Sequence, residues 1–287
     1  MIETLKLQVR SWEHAGQHEW LTRAATLLWV SIQNGRDWWV IGRITERLQQ
    51  GQFPADSMRA VTEVCRNAVG AGIRPMQSPE ELAGLVREVE LLRPKSVLEI
   101  GTARGGTLLL LCRFAAPDAT IVSVDLPYGR NGGGYPLWKG PHYRRFARSE
   151  QALHLIRANS HSPDTVSQIH DIVGGKGFDF ILIDADHSYE GVKRDYLNYR
   201  PLLAPGGLLA LHDILPNELD PSIDVNRFWN ELDRDPGVET ETIIADPRQG
   251  SSPIPGRECT VSASSGARPH SSVWEVKGNQ QFSRQNG

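Results

Sequence analysis

The stretch Val97-Leu98-Glu99-Ile100-Gly101-Thr102-Ala103-Arg104-Gly105-Gly106-Thr107 decides how this chain is read. Ser96–Ile100 is a short apolar run behind Pro94, the glycine-rich turn follows, and Gly106–Phe114 has the apolar content of a buried helix. Working outward, the alternation repeats. Thr120–Asp125 reads as a second strand, 143–152 as helix and 153–159 as a third strand. Residues 164–173 read as helix and 178–184 as a fourth strand, apolar throughout and therefore buried on both faces. A helix over 189–203, a turn at Ala204-Pro205-Gly206-Gly207 and a fifth strand over 208–212 come next. Val225–Leu232 is helical and 239–244 extended. Strand and helix at this spacing make βαβ units, so 94–246 is an α/β domain on a mostly parallel sheet with helices on both faces.

Residues 1–93 read instead as a helical extension, with helices over 19–32 and 36–49. Their tryptophans, Trp20, Trp29, Trp38 and Trp39, suit helix-on-helix packing, or a lid or dimer surface. Ser78-Pro79-Glu80-Glu81 is a helix start: Ser78 caps, Pro79 fits the first helical position and Glu81 closes a capping box. Pro94 stops that helix. The tail, 247–287, is rich in Ser, Gly, Pro, Arg and Gln and is expected to be poorly ordered or divergent, with 258–263 as a candidate edge strand.

The formal net charge is −3 with acids and bases interspersed, which argues against a nucleic-acid partner. No run reaches the roughly 20 apolar residues of a membrane span. Cys65, Cys112 and Cys259 form no CxxC pair, and an odd number in a chain of this length fits a reducing, cytoplasmic setting.

In an open parallel sheet, ligands lie at the carboxyl ends of the strands. Those ends carry Glu99, Asp125, Asn159-Ser160, Asp184-Ala185-Asp186-His187 and His212-Asp213. Turn formation accounts for any one of them, but five along one rim point to a polar ligand. Asp125 lies roughly 20 residues beyond Gly105, the spacing at which an acid grips ribose hydroxyls. Glu99 would repel a pyrophosphate and suits a ligand bearing an ammonium and a sulfonium. Ala103 departs from the dinucleotide fingerprint, where a glycine stands. The long loop 127–142, with Gly129, Gly132-Gly133-Gly134, Tyr135, Trp138 and His142, follows the second strand where a ligand would lie.

The 97–107 stretch resembles the first motif of class I S-adenosylmethionine-dependent methyltransferases. Ile183-Asp184-Ala185-Asp186-His187-Ser188-Tyr189-Glu190-Gly191-Val192 and Pro205-Gly206-Gly207-Leu208-Leu209-Ala210-Leu211-His212-Asp213 are similar to the branch holding metal-assisted small-molecule O-methyltransferases and cephalosporin-hydroxylase-like proteins. The resemblance implies a Rossmann-like sheet and S-adenosyl-L-methionine as cofactor. Glu99, Gly101 and Gly105 would surround its methionine part, Asp125 would bind its ribose, Asn159 and Ser160 would lie near its adenine, and Thr102 and Asp184 would complete the cofactor site. It further implies a divalent cation held by Asp184 and Asp213, with His212 in a position usually acidic. Magnesium favours oxygen donors, and a softer metal would accept the imidazole. His187, three positions after Asp184, would act as general base, or else cap the following helix. The expected acceptor is a hydroxyl of a small molecule, a sugar or secondary metabolite. Homo-oligomerisation would use the N-terminal helices. His161 and His170 read as surface residues. Two rivals share the fold: an oxidoreductase, and a non-catalytic cofactor-binding protein.

Overall fold

The computed structural model describes residues 17–66, 72–127, 134–217, 220–241 and 275–277. Five parallel strands form the body of the sheet: β1 (Ser96–Ile100), β2 (Thr120–Asp125), β3 (Ala152–Arg157), β4 (Phe178–Ile183) and β5 (Leu203–Leu211). Two short strands, β6 (Glu239–Glu241) and β7 (Glu275–Lys277), follow, and the spatial order is β3-β2-β1-β4-β5-β7-β6. β7 runs antiparallel to both β5 and β6. The order reverses between β1 and β4, which opens a crevice where those strands end.

Eight α-helices are described: α1 (Gln17–Gln49), α2 (Ser57–Cys65), α3 (Pro79–Leu92), α4 (Gly106–Phe114), α5 (Gly140–Arg144), α6 (Pro163–Val173), α7 (Tyr189–Tyr199) and α8 (Val225–Leu232). The capping box of α3 forms as its residues dictate. Glu81 N–H donates to Ser78 Oγ (3.2 Å) and Ser78 N–H to Glu81 Oε2 (2.9 Å). At its far end Arg93 turns left-handed (φ 47°), because the following Pro94 disfavours helical backbone there. The apolar faces of α2 and α3 (Val61, Val64, Leu82, Val86, Val89) join the sheet residues Val97, Leu98, Ile121, Val122, Phe180 and Ile181 in one core.

Several elements depart from the expectation. Where two N-terminal helices were expected, α1 runs unbroken through Gly35, a position with open space around it. Trp38 packs its ring against His142 of α5 (centroids 4.4 Å apart) and against Trp138 (5.7 Å), as helix packing predicts, while Trp39 is 65% exposed; Trp20 and Trp29 lie outside the residues whose side chains are described. The helix expected over 143–152 is the short α5 followed by turns. β5 starts at Leu203 because Ala204 to Gly207 bulge between the pairs Phe178–Leu203 and Phe180–Leu208. Strand β7 falls inside the tail and supplies the antiparallel member that no apolar alternation announces, having a single apolar residue, Val276. The candidate strand 258–263, residues 242–244, Gly129, Gly132, Gly133 and Cys259 lie outside the described residues.

A buried ion pair ties α1 to the loops at the strand ends. Buried Asp37 accepts the Gly72 N–H (2.8 Å) and lies 3.4 Å from Lys139 Nζ and 3.8 Å from Arg104 Nη1. Lys139 is itself buried, which pulls its pKa down while Asp37 pushes back.

Candidate active site

The chain leaves β1 at Gly101, whose N–H donates to Val124 O (2.8 Å), while Ile100 O accepts from Asp184 N–H (2.8 Å). The first turn is thus sewn to both neighbouring strands. Gly101 has φ +104°, and a Cβ there would lie 2.0 Å from the Asp184 carbonyl oxygen. Gly105 (φ +82°) caps α4, and its Cβ would meet the Tyr143 ring at 2.6 Å. Tyr143 donates its hydroxyl to Arg104 O (2.5 Å). Both glycines are therefore required by contacts within the protein. Ala103 takes the left-handed conformation (φ 44°) where the dinucleotide fingerprint has glycine. Its N–H donates to Asp125 Oδ2 (2.9 Å), so the β2 acid anchors the turn. Burial raises the Asp125 pKa to about 6 despite its backbone donors.

Glu99 is completely buried. Ser123, its partner across the β1–β2 register, donates to Glu99 Oε2 (2.5 Å) and shares a second 2.5 Å bond with Thr102 Oγ1. Because the Ser123 proton goes to Glu99, Thr102 donates to Ser123. Thr102 is buried in this chain of hydroxyls. Glu99 Oε1 is buried with no hydrogen-bond partner among the described residues. Burial, with the charges of Asp125 and Asp184, raises the Glu99 pKa to about 8 against the Ser123 hydrogen bond. A dry carboxylate oxygen flanked by two more acids is a seat for a cationic group.

Asp184, His187, His212 and Asp213 come together at the ends of β4 and β5. His212 Nδ1 stands between Asp184 Oδ1 (3.2 Å) and Asp213 Oδ1 (3.4 Å), and its Nε2 lies 4.0 Å from Glu81 Oε2. Gln77 Nε2 donates to Asp184 Oδ2 (2.6 Å), and His187 Nδ1 lies 2.9 Å from Asp213 Oδ2. Burial alone would lower the His212 pKa; the Asp184 and Asp213 charges overcome it and hold the ring well above the ordinary histidine value. His187 is raised too: burial opposes this, and the Asp213 hydrogen bond together with the Asp184 and Asp213 charges outweighs it. Burial would lift Asp213, but the His212 charge and the two imidazole partners bring it far down. Asp213 adopts φ 57°, a strained conformation for a non-glycine residue.

This donor set bears on the expected magnesium. Each oxygen of Asp184 and Asp213 already faces a nitrogen, and the His212 imidazole stands between the two carboxylates, where a shared cation would have to sit. Among the described residues no group of three or more His, Cys, Asp and Glu side chains is disposed to hold a metal ion. As arranged, Asp184, His212 and Asp213 do not fit a divalent cation, because the imidazole occupies the space between the carboxylates.

Asn159 and Ser160 lie in the turn after β3. Asn159 Oδ1 accepts the His161 N–H (2.9 Å), and Ser160 O accepts the Tyr199 hydroxyl (2.6 Å). His161, expected at the surface, is instead partnered by buried Asp195, while His170 is exposed as expected. Ser123, Gln77, Glu81 and Tyr143 are site residues that the sequence reading leaves out. A polar Ser123 inside the apolar run of β2 is the one signal that could have found its place.

Residues 98–214 match the family model described as a methyltransferase domain. The matched segment runs from β1 to just past β5, 117 of the 287 residues, and is similar to that methyltransferase domain. An uncharacterized protein of Sinorhizobium fredii is 27% identical over 147 residues, 50% of this chain and 16% of that protein's length. A probable caffeoyl-CoA O-methyltransferase of Arabidopsis thaliana is 23% identical over 176 residues, 58% of this chain and 68% of that one. Among solved structures, an O-methyltransferase from Bacillus cereus in complex with SAH shares the fold, with 16% identity, a TM-score of 0.51 and coverage of 82% of this chain and 97% of that one.

Proposed function

We propose that this protein transfers a methyl group from S-adenosylmethionine to a hydroxyl oxygen of a small molecule. The observation that carries this reading is the Glu99 carboxylate. It is buried, its Oε1 lacks a partner, and Asp125 and Asp184 flank it at the strand-order reversal. That combination fits the amino-acid end of a cationic nucleoside and opposes a pyrophosphate. The family match at 98–214 and the O-methyltransferase relative support the same chemistry.

When bound, the cofactor supplies a methyl group on a positively charged sulfur. The chain's own part is to place the acceptor oxygen in line with that methyl and to remove its proton. His187 suits the second task. Its Nδ1 faces Asp213, so the N–H resides there and Nε2 is the nitrogen that accepts a proton. Transfer of that methyl to the acceptor oxygen would leave the carbon–sulfur electron pair on sulfur. The hydroxyl proton passes to His187, and the Asp213 charge stabilises the imidazolium. No step of this scheme runs through a divalent cation.

Isothermal calorimetry tests the reading: S-adenosylmethionine and S-adenosylhomocysteine should bind, and nicotinamide dinucleotide should not. Preferential binding of the dinucleotide, or loss of no affinity in Glu99→Gln, would refute it.

A further inference from the structure

A second buried ionisable pair lies outside the rim just described. Asp195, on α7, is 0% exposed, and His161 Nε2 lies 3.3 Å from its Oδ1. His161 closes the turn after β3, and that turn is pinned at every residue. Asn159 Oδ1 takes the His161 N–H, Ser160 O takes the Tyr199 hydroxyl, and Arg194 Nη2 reaches His161 O at 3.4 Å. Three of these partners, Arg194, Asp195 and Tyr199, project from the same helix, so α7 acts as a backing plate for the turn.

We infer that Asp195, acting through His161, is a positioning residue that holds the 159–161 turn in the shape that receives the nucleoside end of the cofactor. The inference rests on the reading above that Asn159 and Ser160 face that ligand. A dry carboxylate with an imidazole beside it contributes little net stability, since desolvation offsets the attraction. What it contributes is direction: if the His161 ring swings away, a buried charge is left uncompensated. The ring therefore stays, and with it the backbone of the turn. The groups facing His161 are Asp195 and Arg194 from α7 and Asp186 from the loop before it. The Asp195 carboxylate beside it raises the His161 pKa, against burial and Arg194. Charged pairing is thus complete at lower pH and is lost as pH rises through that raised value.

The test is the calorimetric Kd of S-adenosylhomocysteine for the wild type, Asp195→Asn and His161→Asn between about pH 6 and about pH 9. Loss of a charge-assisted contact to the turn predicts roughly tenfold weaker binding by both variants at the acid end. The ratio of variant to wild-type Kd should shrink towards one at the alkaline end. Variants that bind as well as the wild type throughout, or more weakly by a constant factor at every pH, overturn the inference. The second outcome would be that of a merely structural residue. If Asp195→Asn does not fold, the part-exposed His161→Asn carries the same test. No binding by the wild type would overturn the cofactor reading itself, and this inference with it.

Discussion

Gly101→Ala isolates what the first turn demands of its backbone. The added methyl would stand 2.0 Å from the Asp184 carbonyl oxygen and 2.6 Å from its carbonyl carbon, both backbone atoms that no rotamer can move. To reach ordinary contact the end of β4 must retreat by more than an ångström. That breaks the paired bonds Asp184 N–H to Ile100 O and Gly101 N–H to Val124 O, worth about 1 kcal/mol each. Forcing φ near +104° on alanine adds about 1–3 kcal/mol of strain. The expected loss is therefore about 3–5 kcal/mol, a fall in Tm on the order of 10 °C for a chain of this size. Gly174→Ala is the control: it also has positive φ (+61°) but nothing within 4 Å, so only the conformational part, about 1 kcal/mol, should appear. Urea unfolding read by circular dichroism compares the two. If Gly101→Ala lost no more than Gly174→Ala, the close approach of β4 to this turn would be wrong.

Other outcomes follow from the same geometry. His187→Ala should lower the rate of methyl transfer by about 10²–10⁴-fold with little change in cofactor Kd, and a loss confined to Kd would remove it as base. Methyl transfer should survive a chelator such as EDTA within about twofold; complete loss restored by magnesium would show that His212 does not stand in for a metal. Glu99, with its pKa raised to about 8, is protonated at neutral pH in the free protein and must ionise to hold a cation. Wild-type affinity for S-adenosylmethionine should then rise with pH up to about 8, with proton release seen by calorimetry in two buffers; Glu99→Gln should show no such release. Ala103→Gly should stabilise by about 0.5–1 kcal/mol in chemical denaturation, since relief of left-handed strain exceeds the entropic cost of glycine.

What the sequence disclosed was local or periodic. The capping box at Ser78, the buried run of β4 and the acids at the strand ends each lie within a few residues of their cause, and the structure places them accordingly. What it withheld depends on pairs far apart in the chain. Nothing near His212 says that Asp184 will embrace it, nor that Gln77 will reach across to the other Asp184 oxygen. The acids of the β4 and β5 ends read as metal ligands because their own segments carry that pattern; the histidines between them change the charge balance only once folded. β7 escaped because three residues cannot display an alternation. His161 looked like a surface residue because its partner, Asp195, belongs to a helix that starts after the next strand.

The tether at Asp37 has a consequence for anyone trimming this protein. A shortened version starting near Pro94 would keep all of the matched segment 98–214 and still discard the counter-ion of an inward-facing amine, Lys139. Stripping one partner from such a pair costs about 3–5 kcal/mol. The leading helix is thus an electrostatic plug for the loop after β2, and a minimal catalytic fragment should be cut upstream of it or carry a neutral residue at position 139.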